Sequence, residues 1–137
     1  MRATTFTTAQ SAASIPTTRR WVGRVLTALA ALFLLLDGVM KVIQAAPSVE
    51  GAAQLGYPAG SVVGVGLLLL VCLAIYLLPQ TAPLGAILLT GFLGGVVATH
   101  VRAGSPVFSF IFPLIIGALL WIGLYLRDAR LRVLLPF

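Results

Sequence analysis

Hydrophobic residues fall into four long runs along the chain, separated by segments rich in proline, glycine and polar residues. An α-helix with a rise of 1.5 Å per residue needs about 17–25 apolar residues to cross the hydrocarbon core of a bilayer, and each run has that length. Nothing along the chain alternates in the manner of a barrel strand. The pattern therefore predicts an all-α polytopic membrane protein with spans at residues 21–42, 61–78, 84–101 and 107–126.

The connections between the runs predict how the spans are arranged. Residues 79–83 (PQTAP) and 102–106 (RAGSP) are so short that the helices on either side must be antiparallel neighbours. The first connection is longer, and Pro47 and Ser48 within it are typical of a helix start, with Ser48 as the N-cap. We therefore expect a four-helix bundle with a short interfacial helix over residues 48–55, in the first outer loop.

The two ends of the chain predict its orientation. Residues 1–18 are rich in Thr, Ser and Ala without periodicity, and we interpret them as a flexible tail before one membrane domain over residues 19–137. Arginines cluster before the first span and after the fourth. Because cytoplasmic loops carry the excess of Lys and Arg, both termini are expected in the cytoplasm, which agrees with an even number of spans.

Composition excludes several classes of function. The chain is 60% hydrophobic and only 9% charged, whereas a soluble domain carries about 25% charged residues. The net charge of +6 comes from arginines beside apolar spans, without the interleaved aromatic residues that stack on bases, so we expect no nucleic acid partner. The single cysteine, Cys72, cannot form a CxxC pair, and one histidine with three acidic residues makes a metal site unexpected.

Four ionisable residues are predicted to lie at one level of the bundle. Asp37 and Lys41 end the first span, while His100 and Arg102 end the third, which runs in the same direction. Asp37 and Lys41 are spaced i, i+4 and can pair, and an unpaired carboxylate at the depth of Asp37 would be costly. We therefore predict a ligand-binding site of Asp37, Lys41, His100 and Arg102. If the protein is an enzyme, Asp37 and His100 are the candidate catalytic residues.

Each of these residues also has a simpler interpretation. Lys41 can extend along the helix to reach the lipid head groups. Arg102 can be an ordinary loop charge, and His100 can be a hydrogen-bonding residue between helices. Asp37 is the least easily explained in this way, because acidic residues at such a depth in a membrane helix are rare.

Small residues at helical spacing mark faces on which membrane helices can approach closely. Two GxxxG pairs are present, Gly60 with Gly64 and Gly91 with Gly95. The motif is common, so it predicts a packed bundle without distinguishing packing inside one chain from association with a homo-oligomer or another membrane protein.

Three segments resemble the DoxX-like family of small four-helix bacterial membrane proteins: GVMKV at 38–42, LGYP at 55–58 and LTGFLGGVVATHVRAGSPVF at 89–108. The resemblance covers most of residues 21–137. It implies a four-helix bundle in a prokaryotic cytoplasmic membrane. Members of the family are associated with a thiosulfate:quinone oxidoreductase complex and with oxidative-stress complexes, and the fold is related to proteins that enclose a lipophilic molecule.

Together these observations favour an accessory membrane subunit, or a binder of a lipophilic ligand such as a quinone or lipid, with no intrinsic cofactor. Asp37 and His100 would hydrogen-bond the head of the ligand, while Lys41 and Arg102 would set the local potential. Two alternatives are open. One is a membrane enzyme that performs acid–base chemistry on a lipophilic substrate, and the other is a structural subunit that docks a partner through its glycine faces.

Overall fold

The structure is a computed structural model that describes residues 16–134. Within these residues it contains six helices: α1 (Thr17–Val42), α2 (Ala46–Gln54), α3 (Ala59–Leu77), α4 (Ala82–Arg102), α5 (Val107–Arg127) and α6 (Ala129–Leu134). Helices α1, α3, α4 and α5 are long and apolar enough to cross a membrane, which confirms the predicted all-α protein with four spans. Residues 1–15 of the predicted tail lie outside the described residues, and its last two form the start of α1.

The short helix α2 begins two residues earlier than predicted. Its N-cap is Ala45, which makes no side-chain cap, so the prediction of Ser48 as the N-cap is wrong. Pro47 lies in the first turn, where its missing N–H removes no intrahelical hydrogen bond. Residues with positive φ flank the helix, Gln44 at 55° and Gly56 at 89°. No residue of α2 is buried, so packing against the bundle contributes little to the stability of this helix.

The four long helices surround a common axis in the order α1, α3, α4, α5. The extensive helix contacts join α1 to α3 and α5, and α4 to the same two helices, so α1 and α4 lie on a diagonal. Short connections make sequential helices antiparallel, and α1 and α4 therefore run in the same direction. We call the end of the bundle with Asp37 and His100 the Asp37 end, and the opposite end, with Trp21 and Arg127, the Trp21 end.

Glycines allow α1 to approach its two neighbours closely. Gly38 lies against Gly66 of α3. A Cβ added to Gly66 would be 2.9 Å from the carbonyl oxygen of Gly38. Gly23 lies against Gly123 of α5. A Cβ added to Gly123 would be 3.0 Å from the carbonyl oxygen of Gly23. A side chain at either crossing would push the helices apart, so these glycines set the packing distance of the bundle.

The glycines at GxxxG spacing do not pack helices inside the bundle. Among the described residues, no atom outside their local chain lies within 4 Å of a Cβ position at Gly60, Gly64, Gly91 or Gly95. Gly91 and Gly95 line a cavity, whereas Gly60 and Gly64 are exposed on α3. These glycine pairs therefore do not pack helices within one chain. Their use in association with a second chain stays a prediction.

The Trp21 end is closed by a core around Tyr76. This side chain is fully buried, and its hydroxyl donates to the carbonyl oxygen of Leu120 at 2.7 Å and lies 3.4 Å from Oγ1 of Thr27. The guanidinium of Arg127 lies 5.3 Å from the centre of the Tyr76 ring. Cys72 is buried in the same core, where it packs as a small apolar side chain. Three of the four long helices are thus joined at this end.

Helix α6 is attached to the Trp21 end through Asp128. The carboxylate accepts hydrogen bonds from the backbone N–H of Arg130 at 2.9 Å and from its guanidinium at 2.8 Å. The same guanidinium donates to the carbonyl oxygen of Pro79, in the connection between α3 and α4. The hydrogen bond from the Arg130 side chain, with its backbone hydrogen bond and charge, holds the pKa of Asp128 below its ordinary value.

We expect α6 to detach in acid. A carboxylate whose pKa is lowered by folding stabilises the folded state above its unfolded pKa, and this contribution is lost as the pH falls through the folded value. The attachment should therefore persist at neutral pH and weaken only as the pH falls from the ordinary carboxyl pKa of about 3.9 toward the lower pKa of Asp128 in the folded state. Asp128→Asn should reproduce the detached state at neutral pH, seen as faster hydrogen exchange of the Ala129–Leu134 amides after correction for intrinsic rates.

The matched control is Val133→Ala, which changes a side chain of α6 that is 79% exposed and leaves every Asp128 hydrogen bond in place. Its exchange should stay close to wild type at neutral pH. Unchanged protection in Asp128→Asn would show that the carboxylate does not hold α6.

Candidate functional site

A cavity of about 1050 Å³ lies between the helices at the Asp37 end. All four long helices contribute to its wall, and α2 contributes Pro47, Ser48, Gly51, Ala52 and Gln54. Small-molecule sites usually have volumes of about 300–1,000 Å³, so this space can hold a sizeable organic molecule. The bundle therefore has a packed core at the Trp21 end and a cavity at the Asp37 end.

The part of the cavity nearer the middle of the bundle is apolar. The rings of Phe33 and Phe112 meet edge to face with their centroids 4.8 Å apart, and Phe108 lies 5.8 Å from Phe112. The remaining apolar wall includes Leu34, Val62, Val65, Leu68, Phe92, Leu93, Val96, Pro113 and Ile116. From Lys41 to Phe33 the wall follows α1 for about 12 Å at 1.5 Å per residue. This depth suits a hydrocarbon chain or ring system.

The charged side chains in the wall form one ion pair. Nζ of Lys41 lies 2.5 Å from Oδ1 of Asp37, and the i, i+4 spacing places both on one face of α1. Both side chains line the cavity, with Asp37 36% and Lys41 21% exposed. Asp37 is thus compensated by the lysine and still faces open space. Its prediction as a ligand contact is geometrically feasible and stays a prediction.

His100 lies in the wall of the same cavity, on the helix diagonal to α1. Nδ1 of its ring is 3.2 Å from the hydroxyl oxygen of Ser105, and the backbone N–H of Ser105 donates to the His100 carbonyl oxygen at 3.0 Å. Ser105 therefore fixes the orientation of the imidazole and leaves Nε2 for a ligand. Sequence reasoning missed this contact, because it closes the turn after α4 and follows no motif.

A second polar group comes from Tyr57 and Thr99, which sequence reasoning also missed. The Tyr57 hydroxyl lies 3.2 Å from Oγ1 of Thr99, and that oxygen donates to the Gly95 carbonyl oxygen at 2.8 Å. Both residues line the cavity and connect the start of α3 to α4. The LGYP segment offered a signal for Tyr57, since it stands out in the first connection. Ser48, Gln54 and Ser109 complete the polar part of the wall.

Arg102 does not line the cavity. It lies in an adjacent depression of about 350 Å³ with Gly56, Ala98 and the Tyr57–Thr99 pair. Its Nη2 lies 3.4 Å from the carbonyl oxygen of Leu55. The structure therefore brings Asp37, Lys41 and His100 to one cavity and places Arg102 beside it. Arg102 can influence a ligand in the cavity only through its charge at a distance.

The chemistry available in the cavity is hydrogen bonding to a polar group. Donors and acceptors from α1, α4 and the connections converge at one end of an apolar space. In the described part of the chain, no group of three or more His, Cys, Asp or Glu is placed to hold a metal ion.

The comparisons with known proteins identify the family of the chain. A model of the DoxX-like family matches residues 25–123, which is most of the chain and includes the cavity-lining residues from Phe33 to Ile116. No match was found among curated proteins or among solved structures. The match agrees with the resemblance of residues 38–42, 55–58 and 89–108, all of which lie inside it. The chain is therefore a multi-pass membrane protein that belongs to the DoxX-like family.

Proposed function

We propose that this protein binds a lipophilic molecule, a quinone or a lipid, in the cavity at the Asp37 end. The observation that carries the proposal is the shape and chemistry of this cavity, which is apolar toward the middle of the bundle and polar at the end. The apolar part of the ligand would be buried among Phe33, Phe92 and Phe112. Its polar head would reach the level of Asp37 and His100.

The energetics favour an amphipathic ligand over a fully apolar one. Burial of apolar surface contributes about 25 cal/mol per Å², which the phenylalanine-rich wall can provide. A hydrocarbon that filled the whole space would leave the polar groups at the Asp37 end without partners, at about 1–3 kcal/mol for each buried group. A ligand with oxygen atoms at one end avoids this penalty, because it accepts or donates hydrogen bonds there.

In the cell, the protein would act as an accessory subunit that holds this molecule for membrane redox or stress functions in the cytoplasmic membrane. The resemblance stated above supports the accessory role, and the paired state of Asp37 supports binding over chemistry, since the lysine already satisfies the carboxylate. A protein partner is implied by this role and remains a prediction.

Ligand-dependent stability of the full chain tests the proposal. Purified protein in detergent would be heated with a short-chain quinone and, separately, with extracted bacterial lipid, and examined by native mass spectrometry. A bound ligand at about 100 times its Kd adds roughly 2.7 kcal/mol of stability, so a clear rise in Tm is expected together with a mass adduct. The absence of both signals for every probe would contradict the proposal.

Two variants locate the binding. His100→Ala removes a hydrogen-bonding group from the cavity wall and should weaken binding by about three- to tenfold, which corresponds to one hydrogen bond. Arg102→Ala is the matched control, because it changes a polar residue two positions away that lies outside the cavity. Equal loss of affinity in the two variants would place the ligand elsewhere.

A further inference from the structure

The ion pair of Asp37 and Lys41 determines the charge of the cavity. Among the described residues, these are the charged side chains in its wall. They are separated by 2.5 Å, so their charges cancel at short range. The other ionisable side chains that line the cavity are His100 and Tyr57. The ion pair itself therefore makes the Asp37 end polar without adding a net charge to the wall.

We propose that this ion pair makes the cavity selective for lipophilic molecules with an uncharged head group, and that Asp37 is the residue that excludes anionic ones. The inference rests on the proposed function and adds the chemical class of the ligand to it. Lipids with a hydroxyl or carbonyl head belong to the accepted class. Free fatty acids, with the same chain and a carboxylate head, belong to the excluded one.

The physical reason is competition for Lys41. A carboxylate that enters an apolar cavity needs a cation, because an uncompensated charge is costly away from water. The ammonium of Lys41 is already bound to Asp37, and a second carboxylate beside Asp37 would be repelled. The next cation, Arg102, lies outside the cavity. An uncharged head needs only hydrogen bonds, which His100 and its neighbours can provide.

The selectivity is measured with oleyl alcohol and oleate, two probes that share one hydrocarbon chain and differ in the head. Binding to the full chain is measured by native mass spectrometry and by the rise in Tm at mildly alkaline pH. Wild type should bind oleyl alcohol roughly tenfold or more tightly than oleate. Asp37→Asn frees Lys41 while preserving the size of the side chain, so it should raise the affinity for oleate by at least about tenfold and remove the preference.

Two further variants keep the inference falsifiable. Glu50→Gln removes a negative charge from an exposed residue of α2 that does not line the cavity, so the preference for the alcohol should be unchanged. Lys41→Gln removes the cation itself, so oleate should bind even more weakly than to wild type. This variant decides the matter if Asp37→Asn does not fold.

The outcomes separate the inference from the function beneath it. Equal binding of the two probes by wild type overturns the selectivity and leaves the lipophilic cavity intact. So does a preference for the alcohol that Asp37→Asn does not change, or a gain of oleate binding in Lys41→Gln. If wild type binds neither probe, nor any quinone or lipid, the proposed function fails and the inference fails with it.

Discussion

Replacement of Gly85 by alanine is expected to prevent the bundle from closing. Gly85 is buried on α4. A Cβ added there would clash with the backbone nitrogen and Cα of Tyr76 in α3, at a distance shorter than any that Cβ atoms show in folded proteins. A flexible side chain could move away, but the backbone of α3 can move only with its whole helix. That movement would break the hydrogen bond from Tyr76 to Leu120 in the core of the Trp21 end.

The expected loss is about 3 kcal/mol or more, because the added methyl group overpacks a site whose neighbours are backbone atoms. This corresponds to a fall on the order of 100-fold in the ratio of folded to unfolded protein. It can be measured as the midpoint of unfolding in mixed micelles with increasing sodium dodecyl sulfate, followed by tryptophan fluorescence. Gly85→Val should be still less stable, since it adds two more methyl groups at the same point.

Gly94→Ala is the control for this prediction. Gly94 is on the same helix and exposed, with no described atom outside its local chain within 4 Å of its Cβ position. Its replacement should stabilise the helix by roughly 0.5–1 kcal/mol, since alanine loses less backbone entropy than glycine. If Gly85→Ala unfolds at the same detergent midpoint as wild type, α3 and α4 must be far enough apart at Gly85 to accommodate a Cβ, and the prediction is wrong.

The helix ends could be predicted because proline marks them in the sequence. Pro106 precedes α5, which begins at Val107 as predicted. The predicted third span starts after Pro83, whereas α4 begins at Ala82 and contains Pro83 in its first turn. Proline is tolerated in a first turn, where no intrahelical N–H bond is lost, so the two prolines have different roles that sequence spacing alone does not separate.

The level of the site residues could be predicted, but not the direction in which each side chain points. His100 and Arg102 lie at one level, yet two residues along an α-helix rotate a side chain by about 200°, to nearly the opposite face. For this reason His100 lines the cavity and Arg102 does not. Counting back from His100 by one helical turn at a time gives Val96 and Phe92, both in the wall. That periodicity was available in the sequence as a signal for the cavity.

The packing contacts could not be predicted in this way. Gly23 meets Gly123, and Gly38 meets Gly66, so each close approach joins glycines far apart in the sequence. Which pairs meet depends on the rotation and crossing angle of whole helices. The GxxxG spacing of Gly91 with Gly95 reports only that two small residues share one helix face, and here that face lines a cavity.

The double variant Gly91→Leu with Gly95→Leu is expected to weaken ligand binding strongly while the bundle stays folded. Both glycines lie one turn apart in the cavity wall, with room for a side chain at each. Leucine favours a helix over glycine by about 0.8–1 kcal/mol, so the fold should not weaken. The new side chains occupy space that the ligand needs. If they exclude three methylene groups of the ligand, at about 0.8 kcal/mol each, affinity falls on the order of 50-fold.

The control is the double variant Gly64→Leu with Gly94→Leu, which changes exposed positions outside the cavity wall on α3 and α4. The two double variants have identical compositions, and each adds two leucines to helices that are otherwise unchanged. A difference in affinity for the same quinone or lipid can therefore come only from where the leucines point. Equal affinities would remove the cavity as the binding site. If the control variant still binds the ligand but no longer associates with another protein chain, the exposed glycines on α3 and α4 take part in association between chains.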